Sequence, residues 1–164
     1  MSDWTRFTKR ITVSATVEEI YRAWMTRAGI ESWFLRSAET NGPDSLVHAR
    51  DEFNQSGDRY LWGWHGWGDE ANLRGEIRQA NGIDQCQFTF HDPMIVTVRI
   101  VNELGTNIVE LTQEHIPTDD NSRTSYFVGC GEGWTFYLAN LKSVLEGGPD
   151  LRNKNAAIKK VINS

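Results

Sequence analysis

Hydrophobic residues between positions 133 and 148 recur at steps of three and four, which predicts one amphipathic helix. The apolar stripe of this helix contains Trp134, Tyr137, Leu138, Leu141, Val144 and Leu145. The opposite face carries small and polar side chains, namely Thr135, Ala139, Lys142 and Glu146. Gly147-Gly148-Pro149 follows and is typical of a helix C-terminus, because glycine accepts the left-handed cap and proline cannot continue the helix.

Alternating apolar and polar positions in the preceding part of the chain predict a series of β-strands. The first strand is predicted at residues 4–13. Turn signals such as Asn81-Gly82 and Asp92-Pro93 separate the later strands, which are predicted at residues 46–51, 59–65, 71–80, 84–91, 94–103 and 106–116. Because the connections are short, successive strands form hairpins and the sheet is expected to be antiparallel.

Two short helices are predicted after the first strand. Thr16 and Glu19 have the spacing of a capping box, which predicts a helix at residues 17–26. Gly29 is expected to interrupt that helix. A second short helix is then expected to close one end of the fold with the side chains of Ile30, Trp33 and Phe34.

One face of the predicted sheet combines apolar side chains with a few polar groups. In the last strand, alternation places Gln113 and His115 in the same row as Val109 and Leu111. Such a mixture is typical of a small-molecule pocket, and a helix lying across the sheet encloses one. The predicted ligand-binding residues are Trp33, Phe34, Tyr60, Trp62, Trp64, Leu73, Phe88, Phe90, His91, Leu111, Gln113, His115, Trp134, Tyr137 and Leu138.

Composition narrows the class of protein. The length of 164 residues indicates one domain, expected at residues 1–149, followed by a basic tail at 150–164 that frays or adds a short helix. The net charge of −5 argues against nucleic acid and against a membrane surface as partners. No stretch approaches the ~20 apolar residues of a membrane span, and the N-terminus lacks a signal-peptide pattern, so the protein is expected in the cytoplasm with its two cysteines as thiols.

The glycine-rich segment 129–133 precedes the C-terminal helix and has two interpretations. Glycines at a helix start attract phosphates, but the dinucleotide motif requires a following strand, so a hinge is favoured and no cofactor is predicted. Cys130 lies at the expected helix start, where a thiol is either activated or simply small and buried. The residues 117–124 before this segment are expected to form a loop.

The four histidines carry little recognisable chemistry. None of His48, His65, His91 and His115 stands in a metal-binding motif, so no metal is predicted. His91 and His115 are interpreted as hydrogen-bonding residues at the pocket rim, with a metal site or a general base as the alternative. No nucleophile motif is recognised, so no catalytic residue is predicted.

Several segments together resemble the START-like (SRPBCC, helix-grip) superfamily. They are the capped helix with Ile20-Tyr21-Arg22-Ala23-Trp24, then Glu31-Ser32-Trp33-Phe34, the strand meander, Gly105-Thr106, and the helix opened by Gly133-Trp134. Within the superfamily, the chain resembles the branch of activator of heat-shock-protein-90 ATPase homologues, over about residues 5–153. The resemblance implies an α+β helix-grip fold, in which a curved antiparallel sheet grips a long C-terminal helix and leaves a cavity between them.

The resemblance also implies three functions. Members of the superfamily bind apolar ligands, the branch is named for a co-chaperone, and some members catalyse cyclisation or hydrolysis. Two departures affect the expected pocket walls: residues 84–91 end in Phe88-Thr89-Phe90 rather than a proline-containing motif, and residues 62–67 are unusually rich in tryptophan. We expect a domain that binds an apolar or aromatic molecule, with a chaperone-interaction module and an enzyme as alternatives, as a monomer or a homodimer.

Overall fold

The computed structural model describes residues 2–164, and within them the chain forms one antiparallel sheet and one long helical segment. The strands are β1 (Phe7–Thr12), β2 (Ser37–Asn41), β3 (Arg59–Gly63), β4 (Leu73–Ala80), β5 (Gln85–Thr89), β6 (Ile95–Glu103) and β7 (Thr106–Glu114). The helices are α1 (Val17–Met25), α2 (Arg27–Glu31), α3 (Asp120–Ser122) and α4 (Gly129–Leu145). A π-helical turn, Arg123–Val128, joins α3 to α4, and a 3₁₀ turn lies at Asp69–Ala71.

The seven strands follow the order β1-β7-β6-β5-β4-β3-β2, so the first strand pairs with the last. The β6–β7 hairpin is the longest pairing and runs from Ile95 opposite Glu114 to Glu103 opposite Thr106. A register shift between Ile77 and Gln79 interrupts the β4–β5 pairing, and such bulges bend a sheet. The predicted α+β helix-grip architecture is confirmed. Within residues 2–164, no helix is long and apolar enough to cross a membrane.

One predicted strand is wrong and one strand was missed. Residues 46–51 do not form a strand, and the side chains of Leu46 and Val47 are 68% and 53% exposed. The second strand is instead β2, whose sequence Ser-Ala-Glu-Thr-Asn has little intrinsic preference for a strand. Pairing with β3 stabilises it, because this pairing buries Ala38 and Thr40.

The capping box that opens α1 is confirmed by two reciprocal hydrogen bonds. The Glu19 amide donates to Thr16 Oγ1 at 3.1 Å, and the Thr16 amide donates to Glu19 Oε2 at 2.8 Å. Gly29, however, lies inside α2 instead of interrupting a helix. It is glycine because a Cβ at this position would lie 2.1 Å from the backbone oxygen of Arg22. Trp33 and Phe34 follow α2 and lie outside it.

The C-terminal helical segment begins earlier than its apolar stripe predicts. The loop expected at residues 117–124 is confined to 117–119, because residues 120–128 are helical. The glycine-rich segment 129–133 is also helical, so the expected hinge is wrong. Tertiary contacts explain the difference: the side chain of Asp119 accepts the Ser122 amide, and the Phe127 ring packs 4.9 Å from Trp4 and 5.7 Å from Phe7. The predicted C-terminus is confirmed, because Gly147 has φ of 81° and the Gly148 amide donates to Ser143 O at 2.7 Å.

The first residues of the C-terminal tail are bound to the core by buried polar groups. The Arg152 side chain is 1% exposed and donates to Glu31 O at 2.9 Å, to Leu35 O at 3.0 Å and to the carboxylate of Asp150. Burial by itself would raise the pKa of Asp150. Hydrogen bonds from Arg152, Lys154 and Asn140 have a larger effect in the opposite direction, so this pKa lies well below its usual range. Past Pro149 the tail contains no helix or strand within the described residues.

We expect Arg152→Met to reduce the free energy of unfolding by about 3 kcal/mol, because it removes the buried guanidinium that donates to Asp150 and to two backbone oxygens. Lys154→Met is the matched control, since Lys154 contacts the same carboxylate at 2.9 Å but is 53% exposed. The control should cost less than about 1 kcal/mol. Urea denaturation measures both values, and equal losses would contradict the buried role of Arg152.

We expect Gly75→Ala to cost about 1–3 kcal/mol through overpacking. A Cβ at Gly75 would lie 2.2 Å from Tyr60 Oη, and this hydroxyl is held because it donates to Thr89 O. The Tyr60 ring also stacks on Trp62 at 3.8 Å. The control is Gly133→Ala inside α4, where a Cβ meets no atom within 4 Å. This change should raise the free energy of unfolding by at most about 1 kcal/mol, because alanine favours the helix over glycine. Thermal unfolding of both variants compares them, and a neutral Gly75→Ala would refute the argument.

Candidate functional site

Aromatic side chains from α4 and from the segments that follow α2, β3 and β5 pack together in one cluster. The Trp134 ring lies 4.9 Å from Phe34 and 5.3 Å from Phe90. Phe34 also contacts Tyr137 at 4.8 Å and Trp64 at 5.6 Å. Each of these pairs is tilted, with interplanar angles between 30° and 56°. Aromatic pairs prefer such tilted or edge-on arrangements to a stacked sandwich.

An open cleft of about 470 Å³ lies against this cluster, beside the N-terminal half of α4. This volume is within the ~300–1,000 Å³ of small-molecule sites. One wall comes from the segment after β3, a second from the end of β5, and a third from the π-helical turn and α4. The lining residues are Phe34, Trp64, Trp67, Ala71, Phe90, His91, Ser125, Gly129, Cys130, Gly133, Trp134 and Tyr137.

Six of the predicted ligand-binding residues line the cleft: Phe34, Trp64, Phe90, His91, Trp134 and Tyr137. Eight others pack in the core, away from the cleft: Trp33, Tyr60, Trp62, Leu73, Phe88, Leu111, Gln113 and Leu138. Alternation along a strand identifies the face of a side chain but not its depth beneath the helix. The middle of the face is filled because Leu138 and Leu141 of α4 pack closely onto it.

Gln113 and His115 do not line the cleft, although their row predicts that they face a pocket. Gln113 is fully buried, and its Oε1 accepts the indole N–H of Trp134 at 2.9 Å. It therefore holds a wall of the cleft in place. His115 is exposed, because β7 ends at Glu114 and the backbone of His115 turns to φ of 61°. The strand alternation does not extend to this residue.

The cleft residues outside the predicted ligand-binding set are Trp67, Ala71, Ser125, Gly129, Cys130 and Gly133, although the tryptophan-rich segment 62–67 was expected at the pocket walls. A signal for three of them exists in the spacing, because Gly129, Cys130 and Gly133 continue the three- and four-residue steps of the α4 stripe backwards. Their small side chains conceal that stripe. At Gly133 a Cβ would meet no atom within 4 Å, so glycine keeps this part of the cleft wide.

Among residues 2–164, the lining of the cleft contains no Asp, Glu, Lys or Arg. Three lining groups are titratable, and burial favours the uncharged form of each. Burial lowers the pKa of His91, and it raises the pKa of Cys130 against the smaller effect of a hydrogen bond with Gln113. Burial likewise raises the pKa of Tyr137 to about 12. The cleft is thus electrically neutral near pH 7.

The hypothesis of an activated Cys130 thiol is not supported by its location. Cys130 lies inside a continuous helical segment and not at a free helix N-terminus, so backbone amides do not stabilise a thiolate there. Polar side chains that could form an acid–base pair also lie apart: Glu76 is exposed on β4, Gln113 is buried, and His91 lies at the cleft. Within residues 2–164, no three side chains of metal-binding type converge.

Comparison with known proteins agrees with the fold. Protein SSP2350 from Staphylococcus saprophyticus is 19% identical, and the match covers 90% of this chain and 96% of that one with a TM-score of 0.68. The Aha1 dimer from Colwellia psychrerythraea is 16% identical, with 87% and 97% covered and a TM-score of 0.66. Protein NE0264 from Nitrosomonas europaea is 10% identical, with 90% and 97% covered and a TM-score of 0.68.

These identities are low, so the likeness concerns the fold alone. A comparison with curated proteins finds no match. The sequence pattern of one family, however, covers most of the chain: "Activator of Hsp90 ATPase homolog 1-like protein" matches residues 14–146. This range begins after β1 and ends with the residue that caps α4. The resemblance inferred from the sequence is therefore confirmed, and the chain belongs to the family of activator of Hsp90 ATPase homolog 1-like proteins within the START-like superfamily.

Proposed function

We propose that the protein binds a small apolar or aromatic molecule in the cleft beside α4. One observation carries this proposal: aromatic side chains from four parts of the chain surround a solvent-open volume of about 470 Å³. Trp67, at the cleft, is 63% exposed, so a large apolar surface there is free to contact a ligand.

The energetics of the cleft are adequate for modest affinity. A ligand that loses ~300 Å² of apolar surface gains about 7 kcal/mol from burial. Contact with aromatic rings adds about 0.5–1.5 kcal/mol for each well-placed pair. Association and ordering cost several kcal/mol of this gain, so we expect dissociation constants in the micromolar range or weaker.

Gly133→Phe tests the proposal, because Gly133 lines the cleft and a Cβ there would meet no atom within 4 Å, which leaves open space for a larger side chain. Tryptophan fluorescence should respond to at least one compound in a panel of fatty acids, flavonoids and polyketide-like molecules. Gly133→Phe should weaken binding of that compound about tenfold or more by filling its volume. Gly133→Ala is the matched control and should change the affinity little.

A second readout uses the thiol in the cleft wall. Bound ligand should slow alkylation of Cys130, whereas Cys86 is fully buried and serves as an internal reference. Circular dichroism verifies that both Gly133 variants fold. The absence of any fluorescence response, or an unchanged affinity in Gly133→Phe, would overturn the proposal.

The family match favours a second candidate, interaction with a heat-shock ATPase. Such an interaction would use the outer face of the sheet, where Glu39, Arg59, Arg74 and Glu76 are exposed on neighbouring strands. A chaperone contact of this kind does not need the cleft. A homodimer remains a prediction; the relative from Colwellia psychrerythraea was solved as a dimer.

Charge reversal on the outer face separates the two candidates. If a chaperone binds there, Arg59→Glu combined with Arg74→Glu should abolish stimulation of an Hsp90-type ATPase, because both guanidinium groups are exposed. Gly133→Phe should leave the stimulation intact. The measurement is steady-state ATP hydrolysis with purified proteins. An ATPase rate that does not change when the wild-type protein is added would remove this candidate.

A further inference from the structure

The rings that line the cleft are inclined to one another at different angles. Trp64 and Phe90 meet nearly at right angles, with 6.3 Å between centroids and an angle of 73°. Phe34 and Trp134 form the inner end, tilted by 39°. A flat ring system can therefore meet one wall face-on and the next wall edge-on, which are the favourable geometries for aromatic contacts. This arrangement favours a rigid ring over a flexible chain.

The ion pair near the cleft is already satisfied. Arg36 donates to Trp64 O at 3.2 Å and pairs with Asp69 at 2.9 Å, so its charge is compensated. Further back, Arg152 is bound to Asp150 and to two backbone oxygens. Neither guanidinium lines the cleft. An anionic ligand group inside the cleft would lose water without gaining a counter-ion, and such burial is costly.

His91 supplies a neutral hydrogen-bonding group at the rim. Its backbone adopts φ of 53°, which is uncommon for a residue other than glycine and often marks a functional site. The imidazole contacts two aromatic rings, with its centroid 4.9 Å from that of Phe90 and 5.7 Å from that of Tyr126. Burial is the one influence on its pKa among the described residues, and it favours the uncharged ring. A neutral imidazole has one nitrogen that accepts a hydrogen bond from a hydroxyl group.

We infer that the cleft selects uncharged ring-containing molecules that carry a hydroxyl group, and that it rejects the corresponding carboxylates. The aromatic walls hold the ring, and His91 accepts the hydroxyl proton in a hydrogen bond. This inference rests on the proposed binding function and specifies its ligand class. It gives His91 the role of a specificity-determining residue, because its imidazole lies at the cleft, whereas both polar groups of the nearby Gln113 are already paired within the protein.

Four matched probes test the selectivity by calorimetry: naphthol, its methyl ether, naphthoate and methyl naphthoate. Methyl naphthoate should bind about tenfold or more tightly than naphthoate, because only the carboxylate pays for losing its water. Naphthol should bind about threefold or more tightly than its ether, because only naphthol donates a hydrogen bond. In His91→Phe, the preference for naphthol over the ether should vanish, while naphthoate remains weak.

A gain-of-function variant keeps the test independent of lost folding. Ser125 is exposed at the cleft, so Ser125→Arg should place an uncompensated cation there and should tighten naphthoate binding about tenfold. Wild-type protein that binds naphthoate as tightly as its ester would overturn the inference while leaving cleft binding intact. Binding of another panel compound but of none of the four probes would also overturn it. If nothing in the panel binds, the proposed function itself fails.

Discussion

The hydrogen bond between the Trp134 indole and Gln113 fixes where α4 lies on the sheet. Both side chains are buried, the donor–acceptor distance is 2.9 Å, and the amide of Gln113 also donates to Met94 Sδ at 3.2 Å. A buried indole N–H without a partner is costly, so sliding or rotating the helix would be penalised. With Trp134 held in this way, the rings of Phe34 and Phe90 pack against it at the cleft.

A second buried polar network positions Phe34 from behind. The Asn140 amide donates to Trp33 O at 2.7 Å, and Arg152 donates to Leu35 O at 3.0 Å, so the residues on both sides of Phe34 are fixed. Asn140 also accepts the backbone amide of Leu151 at 2.7 Å. The start of the C-terminal tail thereby stabilises a wall of the cleft, although it does not line the cleft. Hydrogen bonds thus connect the tail, α4 and the residues next to Phe34.

The two candidate functions use surfaces of opposite character. The cleft is lined by aromatic, glycine and neutral polar residues, whereas the outer face of β2, β3 and β4 carries exposed charges of both signs. Desolvation inside an uncharged cleft favours neutral ligands, while an exposed charged face favours a polar protein partner that keeps water at its rim. One fold can serve either use, because function depends on the site and not on the fold.

The amphipathic stripe from Trp134 to Leu145, the capping box at Thr16 and the β6–β7 hairpin could be identified from the sequence, because each depends on residues close together in the chain. The strand β2 could not, since its polar sequence becomes a strand only by pairing with β3. The early start of the C-terminal helical segment likewise depends on Phe127 meeting Trp4 and Phe7.

The sequence by itself determined the family, the antiparallel meander and six of the residues that line the cleft. Tertiary structure alone decided which aromatic side chains fill the core and which surround the cleft, because depth beneath α4 is not encoded in strand alternation. It also decided that Gln113 holds Trp134 and that His115 turns outward. These outcomes depend on contacts between residues far apart in the chain, where local periodicity carries no information.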